Sequence, residues 1–146
     1  MTGRETNQAE EKLILQSRLS EIAQLPVWIE SLSRRHAIPE NVEFAINLCL
    51  EEAVSNVIRH GYGAGAGGSV IVSFNRTEQG LFVFLIEDQA RCFNPLEAPA
   101  PDHSRTIRVG GQGIPLLRHF TDKLEYEWTP TGNRLKLFFS SACPEL

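Results

Sequence analysis

The segment "IPENVEFAINLCLEEAVSNVIRHG" (38–61) constrains the fold of this chain more than any other. Pro39 can open a helix and Gly61 can close one at C′, and between them apolar residues recur at helical spacing. The helix would be about 30 Å long at about 1.5 Å per residue, close to the diameter of a small domain. A helix of that length must bury one face against a partner layer. Yet it also carries Glu52, Asn56 and His60 at successive steps of four, a polar stripe that packing alone does not call for.

The flanking segments supply the partner layer. "KLILQS" (12–17) reads as a short strand. "LSEIAQLPVWIESLSRRHA" (19–37) is helical in spacing, with Ser20 a candidate N-cap and Pro26 marking either its start or a bend. "SVIVSFNR" (69–76) and "GLFVFLIED" (80–88) are strands joined by a short turn, and the second is apolar enough to be buried on both faces or to lie in the middle of a sheet. "IPLLRHFTD" (114–122) is a helix with Pro115 in its first turn, followed by the strands "KLEYEWTP" and "NRLKLFFS", a hairpin turning at Thr131, Gly132 and Asn133. The order predicts an α+β two-layer sandwich: a mostly antiparallel, mixed sheet with helices on one face. Residues 1–11 are polar and read as a flexible tail, leaving 12–146 as a single domain, which suits a chain of 146 residues.

Composition narrows the function. No run approaches the roughly 18 apolar residues of a membrane span, and the N-terminus lacks a signal-peptide core, so a cytoplasmic protein is expected. Cys49, Cys92 and Cys143 form no CxxC pair and read as free thiols. A formal net charge of −4 argues against nucleic acid, which wants a basic face.

Three places have the residue types of a binding site. Glu52 and Asn56 project side by side, one turn apart, and can accept a proton and ligate a hard cation; magnesium needs few protein oxygens when phosphates supply the rest. Solvation of Glu52 and a helix-end role for Asn56 and His60 explain the spacing equally. Asp88 ends a buried strand, where its carboxylate needs donors: the exocyclic amine of a purine, or the amides of the next turn. Gly110, Gly111 and Gly113 precede a helix start, where amide N–H groups suit an anion or simply make a tight turn, and His103 to Ile114 holds two arginines and no acid. The glycines of "GYGAGAGGS" (61–69) follow a helix and lead to a strand, the wrong context for a dinucleotide fingerprint. Together the three places ask for one ligand, a magnesium-bound purine nucleotide.

At this point "EEAVSNVIRHGYG" resembles the N box of the GHKL (histidine-kinase-like) ATPase superfamily, "DQARCFNP" its first glycine box and "GGQGIPLLR" its second. Within it, the chain is most similar to the anti-sigma-factor serine/threonine kinases of partner-switching systems. The resemblance spans roughly residues 12–140 and implies a Bergerat ATP-binding fold using ATP and Mg2+. It implies Glu52 as catalytic base, Asn56 as the magnesium ligand and Asp88 as acceptor for the adenine amine. Ala90, Phe93, Gly110, Gly111, Gly113 and Ile114 would complete the nucleotide site, with a lid over about 96–110. It further implies a STAS-domain anti-sigma antagonist as the protein substrate, a sigma factor or similar client, and a homodimer. The family has Asp-x-Gly where this chain has Asp88-Gln89-Ala90, and a proline or glycine is common at Cys92. A methyl beneath the adenine would cost about 1 to 3 kcal/mol. That departure keeps open a second expectation, a protein-binding module of the same fold with weak or no catalysis. A detached catalytic domain of a two-component kinase is disfavoured, since neither His60 nor His119 sits on a long coiled-coil face.

Overall fold

The computed structural model describes residues 11–62, 68–89, 113–130 and 132–141, the side chains of 60–62 and 113–114 excepted. Five strands form one sheet in the order β1-β2-β3-β5-β4: β1 (Glu11–Gln16), β2 (Ser69–Arg76), β3 (Phe82–Asp88), β4 (Lys123–Thr129) and β5 (Gly132–Phe139). Every pairing is antiparallel, so the sheet is not mixed among the described residues. Three helices pack on it: α1 (Gln24–His36), α2 (Glu40–Asn56) and α3 (Gly113–Phe120).

Alternation along β3 shows where the second layer lies. Phe82, Phe84, Ile86 and Asp88 are buried, while Val83, Leu85 and Glu87 are only partly so. Of the two expectations for this strand, a place in the middle of the sheet is the one the structure shows, for β3 is the central strand; the helices cover one of its faces, and Val83 and Leu85 stand on the other. On the covered face Phe74, Phe84 and Phe139 pack ring against ring, and Trp28 of α1 meets Phe84 edge-on at 6.1 Å. Each fully buried aromatic contributes about 1.5 to 3 kcal/mol, which makes this cluster the anchor between the layers.

Helix ends follow their local chemistry. Residues Leu19–Ala23 form a 3-10 turn, and Ser20 lies inside it rather than capping a helix. Pro26 falls in the first turn of α1, where its missing N–H costs nothing. Ala37 turns left-handed at φ 56°, its N–H returning to the Ser33 carbonyl, and so ends α1. Pro39 then starts α2, whose first turn carries Glu40 and Glu43 beside the positive end of the helix dipole.

The far end of α2 departs from expectation. Its α-geometry stops at Asn56, and Val57–Tyr62 continue as a π-helix, so Gly61 lies within that segment and does not cap an α-helix. A π turn is wider than an α turn, which breaks the four-residue phase of the polar stripe at Asn56. Such segments recur at functional sites.

Candidate nucleotide site

The end of α2, the end of β3 and the β4–β5 hairpin meet around a cavity. Its walls are largely apolar, from Ala53, Val57, Ile86, Leu117, Tyr126 and Leu135, and three polar side chains enter it: Asn56, Asp88 and Asn133. All three are buried, at 4%, 8% and 6% exposure. An apolar pocket with a few fixed polar groups is the usual form of a small-molecule site.

Asp88 is held by a relay. The Asn133 amide donates to Asp88 Oδ1 at 2.9 Å, and the Tyr126 hydroxyl donates to Asn133 Oδ1. Strand register makes this possible, because Asp88 lies directly opposite Asn133 in the β3–β5 pair. Gly132 lets the strands come this close: at φ 145°, a Cβ there would overlap the Asp88 carbonyl oxygen and lie 2.8 Å from Gln89 Cα. Gly132 and Asn133 thus belong to β5 and to the site, not to the hairpin turn.

Asn56 presents the opposite situation. Its side-chain oxygen is buried without a hydrogen-bond partner among the described residues. A buried acceptor left unpaired costs about 1 to 3 kcal/mol, so a retained one calls for an explanation. A cation or its bound water supplies one, and a neutral amide oxygen fits magnesium well. No cluster of three or more His, Cys, Asp or Glu occurs among the described residues, so a metal here would take most of its ligands from elsewhere, as phosphates would provide.

Glu52 sits one turn before Asn56, half-buried at the rim, and is not part of the cavity lining. The structure therefore brings Asn56 and Asp88 together and leaves Glu52 beside them. Gly113 and Ile114 begin α3, which packs against α2, but their side-chain surroundings lie outside the described residues. Ala90, Phe93, Gly110 and Gly111 lie outside them altogether, as does the lid at 96–110.

Sequence reasoning missed Asn133 and Tyr126. The signal was present in the strand phase, since Asn133 shares the inward parity of Leu135, Leu137 and Phe139, and Tyr126 that of Leu124. An amide on the buried parity of a strand needs a polar partner in the core.

The model of one protein family, described as a histidine kinase-like ATPase domain, matches residues 15–139. The chain belongs to that family. A serine/threonine-protein kinase of Bordetella bronchiseptica, BtrW, is 27% identical over 118 residues, covering 79% of this chain and 82% of that protein. An anti-sigma F factor of Priestia megaterium is 30% identical over 91 residues, 58% of this chain and 59% of that one. Among solved structures, the RsbU and RsbW domains of a Mycobacterium tuberculosis protein superpose with TM-score 0.67 at 11% identity; the match takes in 93% of this chain and 33% of that one. The histidine kinase domain of a blue-light activated kinase from Erythrobacter litoralis matches at TM-score 0.53 and 17% identity, over 83% of this chain and 59% of that one. At such identities the two structures speak for the fold alone, and it is the predicted α+β sandwich. No helix among the described residues is long and apolar enough to cross a membrane.

Proposed function

We propose that the chain is an ATP-dependent protein-serine kinase that acts as an anti-sigma regulatory factor. It phosphorylates a serine on a STAS-type antagonist and sequesters a sigma factor or similar client, as a homodimer in the cytoplasm. The observation that carries this reading is the Asn56 oxygen, buried without a partner among the described residues, in a residue that lines one largely apolar cavity with Asp88. The kinase named among its relatives, similar over most of both chains, supports the choice of reaction.

Each residue then has a defined task. Asp88, oriented by Asn133, accepts the exocyclic amine of adenine in a site that excludes water and so strengthens that bond. Asn56 offers its oxygen to magnesium, with the backbone at Gly110, Gly111 and Gly113 approaching the phosphates. Magnesium-ATP supplies the transferable phosphoryl group together with much of the charge neutralisation. Glu52 at the rim would take the proton of the incoming serine hydroxyl as its oxygen bonds to the terminal phosphorus, while the bond from that phosphorus to the bridging oxygen breaks and ADP leaves. Positioning and neutralisation carry most of phosphoryl transfer, so this sparse set is sufficient.

Calorimetric titration of ATP with and without magnesium, paired with transfer of labelled phosphate to STAS-domain proteins of the host genome, tests the reading. Glu52→Gln is expected to bind ATP as the wild type does while losing transfer about 100-fold or more. Absence of magnesium-dependent ATP binding by the intact protein would refute it. Ala90 in place of the family glycine favours a second reading, a binding module with a weakened nucleotide site. Micromolar ATP affinity would decide against that module.

A further inference from the structure

The polar stripe of α2 continues past the catalytic rim. Phe44, Leu48, Glu52 and Asn56 stand four residues apart, and each step turns the side chain about 40° around the helix. The line therefore winds from solvent into the cavity: Phe44 is 53% exposed, Leu48 and Glu52 are half-buried, and Asn56 is 4% exposed. From Glu52 back to Phe44 is about 12 Å along the axis, the reach of a few residues of a docked protein.

Phe44 stands outside the core, which α2 joins through Val42, Ala45, Ile46, Cys49 and Leu50, while Leu48 packs against that core from its edge and stays partly exposed. Val27 on α1 is also exposed, at 69%, but single apolar side chains on a surface are ordinary. Phe44 and Leu48 differ in being neighbours at one helical step and in running directly to the residue proposed as the base.

Charge gives the surface its sign. The helix Glu40–Asn56 carries Glu40, Glu43, Glu51 and Glu52 and no Lys or Arg. None of the four forms an ion pair among the described residues, whereas on the neighbouring elements Glu30 pairs with Arg34 and Glu11 with Arg35. Among the described residues, then, the acids of α2 present an unneutralised negative face.

We propose that Phe44 and Leu48, flanked by Glu40 and Glu51, are the docking ledge for the protein that delivers the acceptor serine. That protein presents an apolar side chain with Lys or Arg around it, on the side of its serine that faces away from the nucleotide. The inference rests on the kinase reading above, and it names the chemistry of the substrate that reading leaves open. Continuity with Glu52 selects the substrate protein over other occupants, because whatever covers this ledge lies against the point where the hydroxyl must arrive.

The test uses the full chain, ATP and the STAS-domain proteins of the host genome, purified singly. Phe44→Ala, Leu48→Ala and Glu51→Lys are each compared with wild type for ATP affinity, sedimentation, and KM and kcat toward whichever STAS protein the wild type phosphorylates. The expected result is a KM for the protein substrate raised about 10- to 100-fold by Phe44→Ala, and less by Leu48→Ala. ATP affinity stays within about twofold and kcat is retained, while Glu51→Lys steepens the loss and wild-type KM rises with salt. An unchanged KM in all three variants overturns the proposal. Altered ATP affinity also overturns it, by assigning the ledge to this chain's own lid, and so does altered sedimentation of the protein alone, by assigning it to a second copy. Wild type that phosphorylates none of these proteins removes the kinase reading and the ledge together; wild type that does so with indifferent variants removes the ledge alone.

Discussion

Replacing Asn56 by leucine separates stability from function in a way the structure makes quantitative. Asn56 is 4% exposed and its side-chain oxygen has no partner among the described residues. Removing an unpaired buried acceptor recovers about 1 to 3 kcal/mol of desolvation. Leucine branches at Cγ as asparagine does, but its two methyl groups are bulkier than the amide, and overpacking of that kind costs about 1 to 3 kcal/mol. A typical buried substitution loses about 1 kcal/mol, whereas the net change expected here runs from a loss of about 2 to, where the cavity takes up the added bulk, a gain of about 2 kcal/mol. For a domain of this size that range corresponds to a Tm shift of up to about 8 °C in either direction. The same variant loses the cavity-lining acceptor that α2 supplies among the described residues, so the magnesium dependence of ATP binding should vanish. Differential scanning calorimetry and ATP titration with and without magnesium read the two effects on one sample. Loss of more than about 2 kcal/mol, together with intact magnesium dependence, would refute the reasoning, since it would mean that the oxygen is satisfied within the protein.

Three further outcomes follow from the same geometry. Gly132→Ala forces a Cβ into the Asp88 backbone and should cost about 2 to 5 kcal/mol in denaturant unfolding. Its ATP affinity should fall even where folding is preserved, because β3 and β5 must part at Asp88. Tyr126→Phe removes the hydroxyl that donates to Asn133 Oδ1 and should cost about 1 to 2 kcal/mol, with ATP Kd raised several-fold by calorimetry. At the sheet edge, burial pushes the Glu11 carboxyl upward, but hydrogen bonds from His36 and Arg35 and their charges outweigh it and hold the group below its ordinary range. A lowered folded value stabilises above the unfolded one and is lost as pH falls through the folded value. The wild-type advantage over Glu11→Gln, under about 1 kcal/mol for so exposed a pair, should therefore be constant near neutrality and fade below the ordinary carboxylate range, as urea melts across that interval would record.

Elements whose signal is local were legible before the structure. The apolar period of α2, the strand pairs on either side of it, and Pro26 and Pro115 each in a first helical turn all follow from neighbours within one or two turns. Boundaries set by tertiary contact were not. Nothing in "VSNVIRHGYG" distinguishes an α-helix running to Gly61 from one that turns π at Val57. The one-sided burial of β3 was equally hidden, because Val83 and Leu85 are apolar whether or not a second layer covers them.

The candidate site divides along the same line. Residue type and spacing alone picked out Glu52, Asn56 and Asp88, since a carboxylate or an amide in an apolar pattern demands a partner wherever the chain folds. Only the tertiary structure chose those partners. Asp88 meets Asn133 because antiparallel register sets residues forty-five apart face to face, with Gly132 allowing the approach. Asn56 finds no partner for its oxygen among the described residues, although it lines the same cavity as Asp88 and Asn133. Register and close approach are properties of two strands together, and neither strand's sequence contains them.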